Sequence, residues 1–80
     1  MKAYEAVVKR ITELCHTRNI SIDQLAYRSG MAPSTLKNII HGNSKNPGIT
    51  TIQKLCNGLD ISMPDFFNTE YFWNLDQEIE

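Results

Sequence analysis

Asn38 carries a side-chain amide that donates and accepts at once, the complement of the N6 and N7 edge of adenine. Within two helical turns of it stand Pro33, Ser34, Thr35, Lys37 and His41. Ser34 and Thr35 bring hydroxyls that can bond a base or a phosphate, and Pro33 or the Thr35 methyl can pack on a thymine methyl. Both hydroxyls also suit the opening of a helix, and for Thr35 that local role is the stronger one. Lys37 is a point charge better matched to phosphate than to a base. Asn43, Ser44 and Lys45 follow in a turn-rich stretch. Asp23 would repel a phosphate and is left out of the set, and Gln24 has a sufficient role in capping.

Other chemistries lack their residues. The chain has no glycine-rich phosphate loop, nucleophile elbow or metal-ligand cluster, and Glu5, Glu13 and the tail acids form no working carboxylate pair. An enzyme is therefore not expected, nor a cofactor or metal. His16 and His41 are expected in solvent, since no His or Cys pair has ligand spacing. Cys15 and Cys56 are too few to staple a secreted scaffold, and each falls on an apolar stripe where a thiol behaves as a small hydrophobe. Uninterrupted apolar runs stop at two or three residues, so neither a membrane span nor a secretory leader is read, and the expected location is the cytoplasm.

Eighty residues suffice for one small domain that buries about 60% of its unfolded surface. A composition 41% hydrophobic and 21% charged argues for a packed helical chain over a disordered one. The net charge of −1 hides an asymmetry. Residues 1–57 hold eight bases and three acids, whereas residues 58–80 hold six acids and no base. The front carries the footprint expected for a polyanion, and the acidic tail points elsewhere. Arg10, Arg18 and Arg28 either add to that attraction or pair along helix faces.

The elements that would position these residues are all helical. Val7, Val8, Ile11, Leu14 and Cys15 form the inner face of a first helix that Asn19 ends. Ser21 and Gln24 make a capping box for a short second helix with Leu25 and Ala26 inward, and Gly30 permits the left-handed residue after it. Pro33 opens a third helix without loss of a needed N–H. Leu36, Ile39 and Ile40 are its buried stripe, and Gly42 closes it. Ala32 at its N-cap cannot accept an amide bond, a deficit of roughly 1 kcal/mol.

Residues 43–48 read as a loop, and Thr50 with Gln53 as a capping box for a fourth helix burying Ile52, Leu55, Cys56 and Leu59. Gly58 should weaken that helix by about 1 kcal/mol relative to alanine. Ser62 and Asp65 start a fifth, with Pro64 in its first turn and Phe66 and Phe67 plugging the core. Beyond it Tyr71, Phe72, Trp73, Leu75 and Ile79 form an aromatic, acidic end in which Phe72, Leu75 and Ile79 would share a helical face.

The ordered set Leu25-Ala26, Gly30, Ser34-Thr35-Leu36, Ile39, Gly42, Asn46-Pro47, Leu55, Leu59, Ile61 and Phe66 resembles the Cro and phage-repressor type helix-turn-helix family over residues 5–67. The resemblance implies an all-α, compact five-helix bundle in which helix 3, about residues 33–41, reads base edges in the major groove while the following loop touches phosphates. Asp60 stands where the family usually has glycine at positive φ, a conformation Asp tolerates better than most residues.

On this reading residues 1–68 are the DNA-binding domain, and residues 69–80 are a terminal segment that either dimerises the protein or seals its own bundle. The expected function is a sequence-specific transcriptional regulator, a repressor binding double-stranded DNA as a dimer, with no effector evident. The alternative is a protein-interaction module such as an antitoxin or anti-repressor.

Overall fold

In the computed structural model, which describes residues 1–79, six helices follow one another: α1 (Ala3–Arg18), α2 (Ile22–Arg28), α3 (Pro33–Ile40), α4 (Ile49–Leu59), α5 (Met63–Phe67) and α6 (Glu70–Trp73). No strand occurs among the described residues, and none of their helices is long and apolar enough to cross a membrane. Glu80, one of the acids counted in the tail, lies outside the described residues.

Local chemistry sets most boundaries. Asn19 and Asp60 adopt left-handed backbone (φ 54° and 57°) where α1 and α4 end, so Asp60 takes the conformation that glycine more often fills. Gly30 (φ 70°) and Gly42 (φ 79°) turn the chain after α2 and α3. Ser21 Oγ accepts from the Gln24 backbone N–H at 3.0 Å, while Gln24 Oε1 accepts from the Ser21 N–H at 2.8 Å, a complete capping box. Ser62 Oγ likewise accepts from the Asp65 N–H.

The expected Thr50–Gln53 box does not form. Helix α4 begins two residues earlier, with Gly48 as its N-cap and the Gly48 carbonyl accepting from the Ile52 N–H at 3.1 Å. Thr50 therefore sits inside the first turn, where its backbone is already helical.

Phe66, Ile11, Leu25, Leu36 and Leu55 are fully enclosed, joined by Cys15 and Cys56. Burial pushes both thiols above the ordinary cysteine range, and the Arg18 charge offsets part of that rise at Cys15. Ile40 lies only partly buried at the edge of the α3 stripe. Helix α2 packs against both α3 and α4, α5 against α4, and α1 against α2 and α6.

Two arginines act neither as free charge nor as helix-face pairs. Arg10 donates from Nε to the Phe66 carbonyl at 2.7 Å and from Nη2 to the Asp65 carbonyl at 2.8 Å, closing α5. Arg18 Nε donates to the Leu59 carbonyl at 3.1 Å and closes α4. The Leu59 and Phe66 carbonyls lie where a helix end leaves them without intrahelical partners, whereas the Asp65 carbonyl also accepts from the Asn68 N–H at 3.3 Å.

The chain end differs most from expectation. A sixth helix of four residues places Phe72 against the core, with its ring 5.0 Å from that of Phe67. Helix α6 stops at Trp73, so Leu75 and Ile79 share no helical face with Phe72. The chain beyond α6 takes another course. The Asp76 N–H donates to the Met1 carbonyl at 3.0 Å, and the Met1 ammonium pairs with the Asp76 carboxylate at 2.9 Å, drawing the backbone across to the start of α1.

Candidate nucleic-acid interface

Helix α3 has its buried side at Leu36 and Ile39. At about 100° per residue, Ser34, Lys37, Asn38 and His41 then cluster around the opposite, outward direction. All four are exposed. Thr35 is exposed too, but it falls on the flank next to Ile39, and the half-buried Pro33 falls on the other flank. The helix ends at Ile40, one residue short of the expected span, which makes His41 its C-cap.

The loop after α3 is tied to it through one carbonyl. The N–H groups of Asn43 and Ser44 both donate to the Asn38 carbonyl, at 2.9 and 3.1 Å. Asn38 thus anchors the loop with its backbone and keeps its amide outward. Asn43, Ser44 and Lys45 are exposed, but Lys45 leaves the α3 face, its ammonium standing 5.5 Å from the centre of the Tyr4 ring on α1. Ala32 provides no side-chain cap, and the Thr35 N–H bonds the Ala32 carbonyl at 3.0 Å.

Lys37 is not a solitary charge. Its Nζ lies 3.1 Å from Asp23 Oδ1 in the first turn of α2, with both side chains about half exposed. Helical periodicity is silent about this pair, because its members are fourteen positions apart on different helices. Asp23 therefore belongs to the outward surface from which its charge had excluded it. The arrangement is a helix with a small polar face, a loop continuing it, and a carboxylate–ammonium pair linking α3 to α2. It can donate and accept hydrogen bonds along its outward face.

The chain as a whole is similar to known proteins. Residues 10–70 match the family described as the Cro/C1-type HTH DNA-binding domain. The HTH-type transcriptional regulator SinR of Bacillus licheniformis is 33% identical over 76 residues, covering 90% of this chain and 68% of that protein. Among solved structures, the prophage Lp1 protein 11 superposes with a TM-score of 0.79 at 38% identity, covering 90% of this chain and 96% of that one.

Proposed function

The chain belongs to the Cro/C1-type helix-turn-helix DNA-binding family, and from that membership we propose that it is a sequence-specific transcriptional regulator, a repressor that lays α3 in the major groove of duplex DNA. The observation that carries this reading is the outward clustering of Ser34, Lys37, Asn38 and His41 opposite the buried Leu36 and Ile39. Asn38 reads an adenine edge. Ser34 and Thr35 reach a base or phosphate beside it, and Pro33 offers an apolar surface for a thymine methyl. His41, Asn43, Ser44 and Lys45 follow the phosphate backbone, Lys45 by leaving the Tyr4 ring.

The protein acts in the cytoplasm as a homodimer joined through residues 69–80. Supporting this, Trp73 and Ile79 are 78% and 71% exposed, and Trp73 borders an apolar cavity of about 620 Å³ lined by Val7, Pro64, Phe67 and Phe72.

Selection of bound duplexes from a random pool tests the proposal. A palindrome should emerge, with half-sites about 10 base pairs apart or a multiple of that, and binding should fall steeply as salt rises. If no duplex is retained at low salt, DNA reading fails and a protein-interaction role takes its place.

A further inference from the structure

We propose that Asp23 is a positioning residue that turns Lys37 from a roaming phosphate contact into a fixed base-edge donor, and thereby sets the preference of this protein for its own site over other DNA. The inference rests on the DNA-reading role of α3.

Between Glu13 and Asp60 the sequence holds five bases and a single acid, Asp23. That acid is not needed to start α2, because Ser21 and Gln24 complete the capping box by themselves. Its carboxylate instead meets Lys37 Nζ at 3.1 Å. A half-exposed ion pair and a carboxylate in a helix's first turn each contribute only modestly to folding, so stability is a weak reason for a carboxylate on a surface that faces a polyanion.

Two consequences follow for Lys37. Its charge is largely offset, which weakens its attraction to any passing phosphate and removes it from the counterion release that drives non-specific binding. Its position is also restricted. Of the three N–H donors on the ammonium, one is directed to Asp23 and two are left for other acceptors. Such a tethered donor suits the O6 and N7 acceptors of guanine, whose positions depend on sequence, and suits phosphates poorly, since every sequence presents them alike.

The test compares wild type, Asp23→Asn, Lys37→Gln and the double variant on the selected duplex and on a scrambled one, at several salt concentrations, with thermal melting as a check of folding. Asp23→Asn should bind the scrambled duplex about three- to tenfold more tightly, the scale of one charge acting at high dielectric. Its salt slope should steepen by about one, and its preference at one guanine-containing base pair should flatten. In the Lys37→Gln background the same substitution should leave slope and base preference unchanged, since no ammonium remains to be released. If Asp23→Asn leaves slope and base preference as in wild type, or tightens both duplexes equally, the inference is overturned while the reading by α3 stands. If wild type binds no duplex at low salt, both fall together.

Discussion

Gly58 of α4 and Ser29 at the end of α2 touch so closely that a Cβ added to Gly58 would lie 2.3 Å from Ser29 Oγ. The backbone offers no retreat, because the Ser29 nitrogen and the Arg28 carbonyl carbon would stand 3.0 and 3.2 Å away. The glycine that intrinsic propensity marks as a weakness is what lets α4 pack on α2. Ser29 Oγ is itself buried, with no hydrogen-bond partner among the described residues.

Gly58→Ala should therefore destabilise the protein by about 1–3 kcal/mol, the usual cost of overpacking, rather than stabilise it by the propensity difference. Adding Ser29→Ala should recover part of the loss, since it removes the nearest clashing atom. Urea denaturation of the two variants would check this, and a more stable Gly58→Ala protein would mean that the helices can part without cost.

Arg10→Gln should lower stability by about 1–3 kcal/mol, because it strips two hydrogen bonds from the Asp65 and Phe66 carbonyls. It should leave the salt slope of DNA binding unchanged, in contrast to a lysine that touches phosphate. Parallel melting curves and salt titrations would separate the two roles.

Asn38→Ala and Lys45→Ala should differ in kind. Loss of the Asn38 amide should cost about 1–3 kcal/mol on the selected site and flatten preference at one base pair, with little effect on scrambled DNA. Lys45→Ala should weaken both duplexes alike and reduce the salt slope by about one. Competition titrations on the two duplexes would show which pattern each variant follows.

A chain ending at Asn68 loses Phe72 from the core and the Met1–Asp76 pair, so it should melt at lower temperature than the full chain. If the end also dimerises the protein, sedimentation should show the full chain as a dimer and the shortened one as a monomer. Equal association of both, with only the stability lowered, would assign residues 69–80 to sealing the bundle.

Burial, followed by the hydrogen bond from its hydroxyl to Glu13, pushes Tyr71 above the usual tyrosine range. The neutral phenol is thus favoured in the folded state. Its contribution to stability is complete below the unfolded value of about 10 and is lost as pH rises through the higher folded value. Phenolate absorbance, taken as wild type minus Tyr71→Phe, should titrate at higher pH in native protein than in urea, and coincident curves would contradict the docking of α6 on α1.

Several positions could not be read from the chain alone. The Thr50–Gln53 spacing satisfies a capping rule, yet the helix starts at Ile49 because the chain becomes helical directly after Gly48. The apolar end suggests one more amphipathic face, but α6 stops at Trp73 and Asp76 bonds to Met1, 75 residues away in the chain. Lys37 and Lys45 read as open charges in the chain, but Asp23 and Tyr4 stand beside them in the fold.

By itself the sequence determined what depends on neighbours within about one turn. That covers the presence of the first five helices, the end of the first at Asn19, the boxes and caps at Ser21 and Ser62, and the outward direction of Asn38 opposite Leu36 and Ile39. Hydrogen bonding and burial repeat locally there, so residue type and spacing suffice. Tertiary structure alone decided the contact of Gly58 with Ser29, the closure of α4 and α5 by Arg18 and Arg10, the return of the tail to Met1 and the hold of Asp23 on Lys37. Each joins residues far apart in the chain, and whether such groups meet depends on how closely and at what angle the helices cross, which no local pattern encodes.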